Sequence, residues 1–87
     1  MGAAQEFVLA YLEKFNPVPG ADAEAKLAYD FLDAGHIDSF ETMQMILTIE
    51  DHFKIRFQEE HLQSDDIRTV GGLAAIIEHL AAGGAKA

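Results

Sequence analysis

Residues 32–53 read LDAGHIDSFETMQMILTIEDHF. From Ser39 to Phe53 this stretch carries the strongest helical period in the chain. At about 100° per residue, Phe40, Met43, Ile46, Leu47, Ile49 and Phe53 share one broad apolar side. Glu41, Gln44, Thr48, Asp51 and His52 share a narrower polar face. Asp38 followed three residues later by Glu41 fits a capping box, so the helix is expected to begin at Ser39. Glu50 interrupts the apolar arc, and Lys54, four residues on, is its expected ionic partner. The Met43, Met45, Ile46, Leu47 stripe reads as core, with methionine soft enough to tolerate a visiting chain.

On the N-terminal side, Ala4 to Phe15 reads as an amphipathic helix, with Phe7, Tyr11 and Phe15 at intervals of four beside Val8 and Leu12. Asn16-Pro17-Val18-Pro19-Gly20 ends it, since proline cannot continue a helix. A long, less regular stretch runs to Ile37. Ala21 to Tyr29 has room for a turn or two of helix, and Leu27, Phe31 and Leu32 read as anchors to the core. On the C-terminal side, Lys54-Ile55-Arg56-Phe57 alternates charged and apolar residues, as an extended connection with Ile55 and Phe57 turned inward would. Glu59 to Gln63 reads as a short helix. Thr69 reads as the cap of a last helix with Val70, Leu73, Ile76, Ile77 and Leu80 on its inner side. Gly71 and Gly72 lower helix propensity there, and either permit a close backbone approach or mark a frayed helix start. The expected fold is all-α: a bundle of three main helices and one short helix, with a long loop between the first and second. Residues 1–80 form one expected domain, and Ala81 to Ala87 read as a disordered small-residue tail.

Composition narrows the function. A chain of 87 residues gives one small core and little room for a deep active site. Hydrophobic residues make up 49%, which marks a folded protein rather than an acidic disordered tail. With no cysteine, disulfides, thiolate metal sites and cysteine nucleophiles are excluded. Fifteen acids against six Lys and Arg give a net charge of −9. That field repels nucleic acid and anionic lipid, so neither is an expected partner, whereas a protein surface rich in Lys and Arg is. No apolar run is long enough to span a membrane. The N-terminus lacks the regions of a signal peptide, so cytoplasm is the expected location. A monomer is the expected state.

The chemistry concentrates at Asp38-Ser39-Phe40. A helix N-terminus offers unpaired N–H groups and partial positive charge, so a phosphate esterified to Ser39 would be stabilised where it sits. By position alone, a simple N-cap at Ser39 or Asp38 is the better reading, because serine is a favoured cap. A rival reading is a calcium loop over residues 30–41, with Asp30 at its first position, Gly35 at its sixth, Ile37 at its eighth, Asp38 at its ninth and Glu41 at its twelfth. Leu32 and Ala34, however, bring no oxygen to its third and fifth positions. A hydrolase would need a partner for Ser39 among His36 or His52, yet no Gly-x-Ser-x-Gly elbow is present. His36, His52, His61 and His79 read as scattered surface residues rather than metal ligands, with His79 near a helix C-terminus that favours a cation.

The segment Gly35-His36-Ile37-Asp38-Ser39-Phe40 resembles the modification site of acyl carrier proteins, an Asp-Ser pair followed by a large apolar residue at the head of the second helix. The similarity continues through Ile49-Glu50-Asp51-His52-Phe53, Ile55, the acidic turn at Glu59-Glu60 and Ile67-Arg68-Thr69-Val70, so it spans about residues 27 to 80. It implies a four-helix carrier fold. It also implies a 4′-phosphopantetheine arm on Ser39, attached by a phosphopantetheinyl transferase from coenzyme A. Asp38 would help that transferase hold magnesium, and Phe40 would dock into it. Glu41, Gln44, Thr48 and Asp51 would face partner enzymes that load and unload an acyl group as a thioester. The protein itself would contribute no catalytic residue and bind no metal. Carriers of ordinary fatty acid synthesis carry glutamate where this chain has Gln44 and His52, and leucine where it has Phe40. Such replacements resemble specialised discrete carriers and D-alanyl carriers, so an aminoacyl cargo is the alternative.

Overall fold

The computed structural model describes residues 2–83. Its helices are α1 (Ala3–Glu13), α2 (Ala23–Leu27), α3 (Ser39–Phe53), α4 (Glu59–Leu62) and α5 (Val70–Ala81), with a 3-10 turn at Asp65–Arg68. The protein is all-α, as expected. Ala81 closes α5, and the last four residues of the expected tail lie outside the described residues. Among the described residues, no helix is long and apolar enough to cross a membrane.

α1 packs chiefly on α5. Ala4, Val8, Leu9 and Leu12 form its buried stripe, while Phe7 and Tyr11 are half-buried and Phe15 is exposed beyond the helix end. The aromatic spacing therefore marked the edge of the buried face rather than its centre. α5 contributes Val70, Leu73, Ala74, Ile77 and Leu80. Phe31, Met45 and Ile49, all fully buried, belong to the same hydrophobic core. Thr69 caps α5 by accepting the Gly72 N–H at 3.0 Å. Gly72 is glycine by necessity: a Cβ there would overlap the Asp66 carbonyl.

The long loop is strapped down at its centre, which no sequence period announced. Asp30 and Thr69 form an isolated antiparallel bridge. The Phe31 N–H donates to the Arg68 carbonyl at 3.1 Å, and the Val70 N–H to the Tyr29 carbonyl at 3.3 Å. Arg68 adds ion pairs to Asp30 at 3.2 Å and Asp33 at 3.4 Å. Asp30 also accepts the Asp33 N–H at 2.8 Å. That hydrogen bond above all, with help from the Arg68 guanidinium, holds the Asp30 carboxyl below its usual range against an opposing desolvation.

Two expectations for α3 need correction. Lys54 does not pair with Glu50. Lys54 is instead the left-handed C-cap, at φ 58°, and a Glu50 oxygen accepts the Phe57 N–H at 2.8 Å. The charge in the apolar arc thus ties the following connection to the helix and lets Phe57 turn into the core. The broad apolar side is also divided. Met45, Ile46 and Ile49 are buried and Phe53 half-buried, but Phe40, Met43 and Leu47 are 70%, 55% and 55% exposed. Periodicity finds an apolar arc; it does not say where the bundle stops covering it.

Candidate functional site at the head of helix α3

Ser39 is the first residue of α3 and is exposed. Capping falls to its neighbour. A side-chain oxygen of Asp38 accepts the Glu41 N–H at 2.7 Å, and the Glu41 carboxylate accepts the Asp38 N–H at 2.9 Å, the reciprocal box expected from the sequence. The Thr42 hydroxyl and N–H both donate to the Asp38 carbonyl at 2.8 Å. The helix therefore starts without help from the Ser39 hydroxyl. The box covers the amides of Asp38 and Glu41, while those of Ser39 and Phe40 have no partner among the described residues. Two N–H groups at the positive end of a helix fifteen residues long thus stand beside the Ser39 hydroxyl, an arrangement that stabilises a phosphate there.

An open groove of about 540 Å³ runs beside this serine, lined by Leu32, Ile37, Asp38, Ser39, Thr42 and Met43. Phe40, Met43 and Leu47 continue it as an exposed apolar stripe down α3. Of the other predicted recognition residues, Gln44 and Asp51 are exposed, and Glu41 is half-buried and committed to the cap. Thr48 is exposed but its hydroxyl donates to the Gln44 carbonyl at 2.8 Å. His52 stacks on Phe7, with ring centroids 4.5 Å apart, so it shields an α1 aromatic as well as bordering the polar face.

The two ends of the rival calcium loop are engaged elsewhere. Asp30 is held by Arg68 and the Asp33 amide, and Glu41 by the Asp38 amide. Together with Leu32 and Ala34 this leaves residues 30–41 with an ordinary turn and a helix cap, not a cation cage.

The phosphopantetheine attachment site family matches residues 10–77. This chain belongs to the phosphopantetheine-binding carrier proteins. The prosthetic group of the family is 4′-phosphopantetheine, and the exposed serine with its open amides and adjoining groove fits a phosphate ester at Ser39. A curated D-alanyl carrier protein from Leuconostoc citreum (strain KM20) is 28% identical over 69 residues, 79% of this chain and 88% of that protein. No solved structure matches significantly. Carrier domains are not catalytic themselves; transferases and activating enzymes act on them. Two features of this carrier's site had no signal in the sequence. One is the groove, which joins residues from the loop and the helix. The other is the environment of His36, whose partners lie seven and 24 residues away.

Proposed function

We propose that this protein is a carrier that holds an acyl group as a thioester on a phosphopantetheine arm at Ser39, in a specialised pathway of the cytoplasm. The observation that carries the reading is the division of labour at the head of α3: Asp38 caps the helix, so Ser39 is exposed and its hydroxyl is available for esterification. The bound arm supplies a terminal thiol. The chain's own residues position the attachment point, offer two amides to the phosphate and leave Phe40 exposed for a transferase to bind, and Asp38 would help that enzyme hold its magnesium. Glu41, Gln44, Thr48 and Asp51 border the exposed stripe that partner enzymes meet, and tethering raises the cargo's concentration at each of their active sites. Gln44 supports a specialised partner, since that position brings no charge to a basic docking patch.

A second reading, an aminoacyl carrier, is favoured by the D-alanyl carrier among the relatives. The intact mass of the protein isolated from its own host separates the two. An arm bearing a nitrogen-free acyl group is the expected result. An aminoacyl increment replaces the first reading with the second, and a chain carrying no arm under any growth condition contradicts both.

A further inference from the structure

The four histidines look alike in sequence, but the structure separates His36 from the rest. It is half-buried and both ring nitrogens are engaged. Nε2 lies 3.0 Å from the Leu12 carbonyl, in the last turn of α1, and Nδ1 lies 2.9 Å from the Tyr29 hydroxyl. The ring meets Tyr29 edge-on, at 5.5 Å between centroids and 78°. A carbonyl oxygen only accepts, so Nε2 carries hydrogen, and in the neutral ring Nδ1 accepts from the Tyr29 hydroxyl.

These contacts join three elements at one side chain. The Leu12 carbonyl also receives the Phe15 and Asn16 N–H groups at 3.0 and 3.3 Å, so His36 lands on the negative end of α1. Tyr29 is fixed to α5 through its own carbonyl and the Val70 N–H. The His36 N–H donates to the Phe31 carbonyl at 3.0 Å, closing a turn whose corner is Gly35 at φ 70°. Ser39 follows three residues later, and the links between are constrained: Ile37 is buried, and Asp38 is locked in the capping box.

We propose that His36 is a positioning residue for attachment of the arm. By bonding to Leu12 and Tyr29 it fixes the turn ahead of α3 against the bundle, and so sets where a transferase finds Ser39. The proposal rests on the reading of Ser39 as the attachment point. It differs from a mere stability role because a displaced turn weakens the transferase's hold on the Ser39 segment even in protein that is fully folded.

The test uses the full chain in its apo form, with coenzyme A, magnesium and a broad-specificity phosphopantetheinyl transferase. His36→Phe keeps the ring shape and removes both bonds. Its KM as a transferase substrate is expected to rise about five- to tenfold, most of it from the lost bond to Leu12, with kcat nearly unchanged. His36→Gln restores the donor toward Leu12 and is expected to stay within about twofold of wild type. Amide signals of residues 37–41 should move in the Phe variant and return in the Gln variant. In the wild type, ring nitrogen shifts should report the Nε2–H tautomer at high pH. A His36→Phe protein with lowered Tm but wild-type KM overturns the proposal, as does an Nδ1–H tautomer. Should His36→Phe not fold, Tyr29→Phe, which removes only the Nδ1 contact, is expected to raise KM about twofold, and an unchanged KM overturns the proposal equally. Wild-type protein that accepts no arm refutes the Ser39 reading instead, and the tautomer measurement still decides the geometry of His36.

Discussion

At the residue scale, Asp38 and Ser39 are neighbours with separate duties, and that separation makes the site testable. Asp38 supplies the capping oxygen, so Asp38→Ala is expected to destabilise the fold by about 1 kcal/mol. Ser39→Ala, at an exposed position outside the cap, is expected to stay within about 0.5 kcal/mol of wild type. Urea unfolding of the two variants measures the difference directly. Equal losses would mean that the serine shares in the cap and is not released for chemistry. Glu50 is the other residue whose role follows from a single bond. Removing its carboxylate strands the half-buried Phe57 N–H, so Glu50→Ala is expected to cost about 1–2 kcal/mol, with Glu50→Gln costing much less because an acceptor remains. If Lys54→Ala matched the loss in Glu50→Ala, the ion pair expected from the sequence would hold after all.

At the element scale, α3 is a helix with two apolar faces, one for the bundle and one for visitors. Met45 and Ile49 are fully buried, while Leu47 between them is 55% exposed. Ile49→Ala is therefore expected to cost about 2–5 kcal/mol, and Leu47→Gln no more than about 0.5 kcal/mol, both read by thermal or urea unfolding. A large loss in Leu47→Gln would place that side chain in the core. This split marks the limit of reading the helix from sequence. The start at Ser39, the capping box and the polar face were legible, because each depends on residues within one helical turn. The bare half of the apolar arc was not, because it depends on where α1, α5 and the long loop end. The same boundary explains the strap at Asp30. Its bridge to Thr69 and its ion pair with Arg68 join residues nearly forty positions apart, for which no local pattern exists. In α5 the two glycines fitted a close approach or a frayed start equally, and the structure decides for the first: Asp66 lies against Gly72, and the Leu27 carbonyl would be 3.1 Å from a Cβ at Gly71.

At the scale of the whole molecule, acidity and the site coincide. Ten of the fifteen acids lie between Asp30 and Asp66, where Lys54 and Arg56 are the only Lys or Arg. One of these acids gives a pH signature. Because the folded Asp30 carboxyl titrates below its usual range, of about 3.9, its ionised form stabilises the strap above that pH. The contribution is lost as pH falls through the lowered folded value. Asp30→Asn is thus expected to lower Tm at neutral pH, with the gap from wild type closing in strong acid; a gap that is the same at every pH would remove the carboxylate from the account. For partners, the field predicts binding that weakens with salt, mainly through a slower on-rate. Charge reversal at Asp51, beside the stripe, should hurt more than reversal at Glu13, at the C-terminal end of α1. All of this presumes one covalent event. The decisive measurement is intact and peptide mass after incubating the apo protein with coenzyme A, magnesium and a phosphopantetheinyl transferase. The account predicts a single phosphopantetheinyl group, mapped to Ser39 and absent from a folded Ser39→Ala variant. Addition at Ser64, or none to correctly folded wild-type protein, would contradict it.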